Sequence, residues 1–217
     1  MIKNVFWDMD GTLIDSSPGI CESLKETCIR LGYDEPDYHV LRSCIGPPFS
    51  ESLIPILKIK EEDVDEFIRI YRKIYDEEGQ YKNCIIYKGV EEAVKRLAST
   101  GYSLTLASSK NEVACRLIMD YLGLDKYFTS VVGSSMDRRV ETKTEVIEEC
   151  FARSPWQKKE ETVLIGDTPF DVIGAINSGI TPIAVTYGFS DVNKLNEAGA
   201  SLIFDTIEDV VKYIESH

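Results

Sequence analysis

At 217 residues the chain is long enough for one domain with an insertion or for two small ones, on the usual scale of roughly 150 residues per domain. Its 43% hydrophobic and 28% charged residues, with no apolar run near the roughly 18 residues of a membrane span, argue against intrinsic disorder and against a membrane protein. With 24 Lys and Arg against 37 Asp and Glu, the net charge of −13 repels an extended phosphate backbone and speaks against a nucleic-acid binder; a few convergent donors or a metal ion can still favour a small anion locally.

Met1 to Trp7 carries one lysine and too short an apolar run for a secretory leader, so a cytoplasmic location is expected. Val5-Phe6-Trp7 reads as a first buried strand, ended by Asp8 and Asp10. From Ser16 to Asn83 there is no convincing strand, and the spacing of Val64, Phe67, Ile68, Tyr71, Ile74 and Tyr75 predicts helix. After that the periods alternate. Helical spacing at Val90, Ala93, Val94 and Leu97 gives way to a strand at Leu104 to Ala107, then helix at Ala114, Leu117, Ile118 and Tyr121, then strand at Val131-Val132. Helices around Val146, Ile147, Cys150 and around Val172, Ala175, Ile176 alternate with strands at Val163 to Ile165 and Ile183 to Val185. Leu202 to Phe204 and the helical period Ile207, Val210, Val211, Ile214 close the chain. This rhythm implies βαβ crossovers and a Rossmann-like parallel sheet with helices on both faces. The expected architecture is an α/β catalytic core of residues 1–15 and 84–217, interrupted by a helical cap at 16–83.

The six cysteines, at 21, 28, 44, 84, 115 and 150, form no C-x-x-C pair and read as reduced residues, mostly in the core. His39 and His217 are the only histidines, which leaves little room for a histidine-based hydrolase.

In an open parallel sheet the ligand lies beyond the carboxyl ends of the strands, so the chemistry is sought in the loops that follow them. Strand one runs into Asp8-Met9-Asp10-Gly11-Thr12-Leu13 and the next core strand into Ser108-Ser109-Lys110. The third leads towards Lys143, and the fourth runs into Gly166-Asp167-Thr168-Pro169-Phe170-Asp171. Each piece has a structural alternative: Asp8 and Asp10 as turn formers before Gly11, Ser108 or Ser109 as a helix cap, Asp171 as a first-turn carboxylate after Pro169. Lys143 fits less well as structure, because a cation in a helix's first turn opposes the helix dipole and calls for an anion nearby. A calcium loop is excluded, since Thr12 and Leu13 stand where an acid or Asn and then Gly are needed. Two carboxylates one residue apart can divide labour between nucleophile and general acid-base, and Asp8 with Asp167 and a backbone carbonyl could hold Mg2+.

These four strings, in this order around a helical insertion, resemble the haloacid dehalogenase superfamily of phosphatases, and within it the phosphoglycolate phosphatase group. Asp8-Met9-Asp10-Gly11-Thr12-Leu13 matches the first motif, Ser108 the second, Lys143 the third, and Gly166-Asp167 with Asp171 the fourth. The resemblance implies that Asp8 forms an aspartyl-phosphate while Asp10 protonates the leaving oxygen and then activates water. It implies that Ser108, the Ser109 amide and Lys143 hold the phosphoryl group. Mg2+ would sit on Asp8, the Asp10 carbonyl and Asp167, with Asp171 on the ion or just behind its ligands. The expected substrate is a small phosphorylated metabolite. A 5′-nucleotidase or inorganic pyrophosphatase of the same family, a sugar phosphomutase, and a non-catalytic phosphate-sensing or protein-binding module are the alternatives. The sequence departs from the common pattern at Thr144 after the motif lysine, at Asn111 where proline is frequent, and at Arg138-Arg139. The segment Leu41 to Phe49 resembles a specificity loop of this group, which points to Arg42, Ile45 and Gly46; a plain helix-helix turn is the alternative.

Overall fold

Asn4 to Trp7 form β1, a strand whose four side chains are all buried, as a strand covered on both faces requires. The computed structural model describes residues 1–45, 52–137 and 139–217. After β1 the chain passes through β2 (Ile14–Asp15), builds a separate unit, and returns through β3 (Ile85–Ile86). It then lays down β4 (Ser103–Asn111), β5 (Ser130–Ser134), β6 (Thr162–Gly166), β7 (Thr181–Val185) and β8 (Ile203–Phe204). With β1 these make a six-stranded sheet in the order β5-β4-β1-β6-β7-β8. Every pairing is parallel, with Val5 opposite Leu104 on one side and Val163 on the other. Because the chain proceeds outwards from β1 in both directions, the topological switch point lies at the end of this strand.

Contacts divide the chain into Met1–Asp15 with Ile86–His217 and Ser16–Ile85. In the second unit, α1 (Ser17–Arg30) begins with a proline in its first turn and buries Ile20, Cys21, Leu24, Thr27 and Cys28, one helical face. Its Arg30 reaches both carboxylate oxygens of Glu78 at 2.9 Å and Glu26 at 2.9 Å. A short α2 (Tyr38–Arg42) follows. The helix predicted from Val64 to Tyr75 is not one regular element. It runs as α3 (Val64–Arg72) and then loosens into a π turn at Lys73–Glu77. The wider turn lets both Ile74 and Tyr75 be buried, with the Tyr75 ring stacked on Tyr71 at 5.5 Å.

In the first unit, α4 (Val90–Ser99), α5 (Glu112–Leu122), α6 (Lys143–Arg153), α7 (Pro169–Ser178), α8 (Val192–Glu197) and α9 (Ile207–Ser216) surround the sheet. Phe6, Ala107, Val132 and Leu164 from the strands meet Val146, Ile147 and Cys150 of α6 and Ala175 of α7 in one core cluster. Each such buried side chain contributes roughly 1.5–3 kcal/mol for the larger residues. Val5 and Trp7 alternate with Phe6 and are fully buried, so the opposite face is covered too. There α4 lies against β4 and α9 against α4 and β8, and Arg96 forks onto Glu215 at 2.6 and 2.7 Å.

Strand β4 extends past the predicted Ala107 to Asn111, through a register shift between Ala107 and Asn111. The polar run Ser108-Ser109-Lys110 hides this extension from any pattern of burial. Cys21, Cys28, Cys44, Cys115 and Cys150 are buried and Cys84 is half-buried. Among the described residues no helix is long and apolar enough to cross a membrane.

Candidate active site

Asp8 follows β1 directly, and its N–H donates to Ile165 O at 2.9 Å, which keeps it in the sheet's register. Its carboxylate is buried and its Oδ1 accepts from Lys143 Nζ at 2.5 Å. Lys143 opens α6, where Thr142 and Glu145 form a reciprocal capping box. That cap fixes the first turn and sends the lysine stem inward. Nζ also donates to Ala107 O at 2.9 Å and stands 2.7 Å from Asp171 Oδ1. Burial alone would favour loss of its proton, but Asp171 and Asp8 outweigh burial and hold the ammonium above its ordinary range. Burial pushes the Asp8 carboxyl up to about 7 against the pull of Lys143, and the nearby Asp171 adds to the rise.

Asp171 has two roles. Its Oδ2 accepts from Thr168 N at 3.0 Å and from Thr168 Oγ1 at 2.6 Å, completing the capping box of α7, while Oδ1 faces Lys143. The structural reading as a first-turn carboxylate is therefore met in α7.

Asp167, at the end of β6, lies in a cradle. Oδ1 accepts from Thr12 Oγ1 at 3.0 Å and Oδ2 from the Phe189 amide at 2.7 Å. Tyr187 Oη donates to Thr12 O at 3.1 Å and so braces the same loop. Burial, then Asp171 and Asp8, drive the Asp167 carboxyl well above the carboxylate range. The space is made by glycine: a Cβ on Gly11 or Gly188 would fall inside the Asp167 carboxylate. Gly11 also turns at φ 89°, in the left-handed region. Among the described residues, Asp8, Asp167 and Asp171 form the one acidic cluster that could hold a metal ion, with one oxygen from each within 4.8 Å of the others.

Asp10 stands beside this cluster. Its Oδ2 accepts from Lys110 Nζ at 2.9 Å, both side chains being largely buried, and its Oδ1 is buried without a hydrogen-bond partner among the described residues. Ser108 is buried and its Oγ accepts from Lys110 N at 3.3 Å. Ser109, next in β4, is half-buried.

The haloacid dehalogenase-like hydrolase family model matches residues 5–185, a range that contains Asp8, Asp10, Ser108, Lys143, Asp167 and Asp171. The chain belongs to the haloacid dehalogenase-like hydrolases. It is 31% identical over 214 residues to a protein of Pseudomonas aeruginosa named 5′-nucleotidase, a match covering 99% of this chain and 96% of the relative. A phosphoglycolate phosphatase of Vibrio parahaemolyticus is 23% identical over 222 residues, covering 98% and 96%. The crystal structure of a predicted phosphatase from Clostridium acetobutylicum superposes with a TM-score of 0.91 at 32% identity, covering all of both chains. The protein is an enzyme of this family, a phosphatase.

Within this hydrolase the fold brings Asp8, Lys143, Asp167 and Asp171 into one connected cluster, with Asp10 on the loop after β1 and Ser108 in β4. Arg42 and Ile45 belong to the second unit, Arg42 as the last residue of α2 and Ile45 as a buried side chain just after it. Gly46 lies outside the described residues. Sequence reasoning did not single out Lys110, Thr12, Thr168, Tyr187 or the Phe189 amide. The Lys110–Asp10 and Tyr187–Thr12 pairs join positions 100 and 175 apart, where no local spacing can report them. The Thr168–Asp171 box was detectable, because Thr-Pro-x-Asp is a helix-start signature.

Proposed function

We propose that this phosphatase is a Mg2+-dependent phosphomonoester hydrolase acting on a small phosphorylated metabolite by covalent catalysis, with Asp8 as the nucleophile. The observation that carries the reading is the setting of Asp8: a buried carboxylate at the switch point of the sheet, with an ammonium on one oxygen and two more acids beside it. The crowding that raises the Asp8 and Asp167 carboxyls is what a bound cation would relieve, and an all-carboxylate oxygen set is the donor chemistry of a hard divalent ion. The residues therefore fit Mg2+. Asp8, Asp167 and the Asp10 carbonyl would hold it, with Asp171 on the ion or supporting it through Lys143. When bound, it offsets the repulsion between an anionic phosphate and an anionic nucleophile.

The side chains then share the work as follows. The Asp8 oxygen not held by Lys143, Oδ2, bonds to phosphorus as the bond from phosphorus to the ester oxygen breaks. Asp10 gives its proton to that departing oxygen. Asp10 next takes a proton from water, whose oxygen bonds to phosphorus while the bond to Asp8 breaks, releasing inorganic phosphate and restoring both acids. Ser108 Oγ, the Ser109 N–H and Lys143 address the phosphoryl oxygens, where charge is concentrated through both steps.

These groups all address the phosphoryl centre that every substrate shares, so they discriminate little between leaving groups. A phosphate-release screen over phosphoglycolate, nucleoside monophosphates, sugar phosphates and pyrophosphate identifies the substrate. Free phosphate supports the hydrolase, and an isomerised sugar phosphate would reassign it as a mutase. Asp8→Asn should abolish the phosphoenzyme trapped in a single turnover, and near-normal turnover by that variant would sink the assignment.

A further inference from the structure

Lys110 lies outside every role assigned above, yet its ammonium is placed on Asp10. We infer that Lys110 is a positioning residue that sets the orientation of the Asp10 carboxyl for its proton transfers. The inference rests on the acid-base reading of Asp10 and adds to it the group that aims the acid.

Three observations carry it. First, the backbone of Lys110 is pinned. Its N–H donates to Ser108 Oγ at 3.3 Å, its carbonyl lies 3.6 Å from the Cys115 thiol, and Asn111 anchors to Ser134 O at 3.3 Å while capping α5. Second, this segment is the irregular stretch of β4, between the paired Ala107 and Asn111. Such an irregularity re-aims a side chain that a regular strand would send elsewhere, and here it delivers Nζ to Asp10 Oδ2 at 2.9 Å. Third, Asp10 Oδ1 is buried with no hydrogen-bond partner among the described residues. A carboxylate left to itself would turn to satisfy that oxygen, since a buried acceptor without a donor costs free energy. The orientation of Asp10 is therefore imposed, and the charge-assisted bond from Lys110 is the contact that imposes it. In the first step Asp10 passes its proton to the ester oxygen as the bond from that oxygen to phosphorus breaks. In the second it receives one from the attacking water. Both transfers demand a fixed carboxyl direction.

The test uses paired substrates differing in how much the leaving oxygen needs a proton. Phenyl phosphate needs protonation, and p-nitrophenyl phosphate, of nearly the same shape, needs it far less. Lys110→Met keeps the unbranched stem up to the ε position and removes the ammonium, and circular dichroism with a melting curve checks that it folds. The ratio of kcat/KM for phenyl phosphate to that for p-nitrophenyl phosphate should fall by about tenfold or more in Lys110→Met, and Lys110→Arg should recover most of it. An equal loss on both substrates with a raised KM would show that Lys110 anchors the phosphoryl group instead, and an unchanged ratio would overturn the proposal outright. Asp10→Asn separates the two levels of inference. If it lowers the ratio and Lys110→Met does not, the Lys110 role alone is wrong. If Asp10→Asn leaves the ratio unchanged, the acid-base reading of Asp10 fails and the Lys110 role with it.

Discussion

Adding one methyl group at Gly174 tests whether the lysine at the centre of the site is held as tightly as its contacts imply. Gly174 lies inside α7, and a Cβ there would come 2.6 Å from Lys143 Cγ, 2.8 Å from its Cβ and 3.3 Å from its carbonyl carbon. Ordinary carbon contacts need about 3.5–4.0 Å, so something must move by roughly 1 Å. The lysine stem cannot simply swing away, because its root is fixed in the capped first turn of α6 and its tip is held by Asp8, Ala107 and Asp171. Overpacking of this kind costs roughly 1–3 kcal/mol, and exchanging a helical glycine for alanine returns roughly 0.5–1 kcal/mol. Gly174→Ala should thus lose on the order of 1–2 kcal/mol and lower Tm by roughly 2–8 °C for a chain of this size. The effect on turnover should be larger. A displacement of about 1 Å at a positioned group can reduce the rate by about a hundredfold. The assay pairs a melting curve with kcat for p-nitrophenyl phosphate, and Gly174→Ser serves as a second variant with similar bulk. Unchanged or improved stability with undiminished turnover would refute the claim that the Lys143 stem is confined by α7.

Chelation should stop turnover and added Mg2+ restore it, while Asp167→Ala should raise the Mg2+ concentration needed for half-maximal activity; activity in excess chelator would contradict the metal assignment. Glu112 bonds to Arg116 at 2.8 Å, to Arg153 at 2.8 Å and to Gly133 N at 3.4 Å. Burial raises its carboxyl, but the hydrogen bonds from Arg116 and Arg153 outweigh burial and hold it below the model-peptide value of 4.5. A depressed carboxylate stabilises the fold above its unfolded pKa, and that stability is lost as pH falls through the folded pKa. The Tm difference between wild type and Glu112→Gln should therefore be present at neutral pH and shrink on acidification below about 4.5, and a constant difference would show that the effect is steric. Arg42→Ala should change the ranking of substrates in the phosphate-release screen, while phosphoenzyme formation from acetyl phosphate stays near wild type; equal losses on all donors would make Arg42 structural.

The strands of the sheet were legible because buried parallel strands advertise themselves as short apolar runs, and Val163 to Ile165 lies within the observed β6. The tail of β4 was not, because Ser108-Ser109-Lys110 has no apolar signature and is carried into the sheet only by the pairing of Asn111 with Ser134. In the second unit the spacing from Val64 to Tyr75 announced a helix, but periodicity has no means of marking where 3.6 residues per turn gives way to a π turn. In the site, Asp8, Asp10, Lys143 and Asp167 could be picked out because they occupy ends of elements, where the fold class directs attention. What their sequence positions could not show is how they pair. The lysine was expected to hold a phosphate, and it stands between two carboxylates and a carbonyl. The glycines that make room for these side chains look in the sequence like any others.

The position of β1 has a consequence for how the molecule is made. The first strand to be synthesised waits longest for its second neighbour, since Asn4 pairs with Ser103 on one side and with Thr162 on the other. At roughly 5–20 residues per second, the chain that leads to Thr162 takes on the order of ten seconds to emerge. Until then the segment bearing Asp8 has only one edge to bind, and Asp167 after β6 and Asp171 in α7, the acids beside it, do not yet exist. Pairings this far apart in sequence also fold slowly. A nascent or truncated chain ending before Asp167 thus carries Asp8 but neither of the two acids that cluster with it.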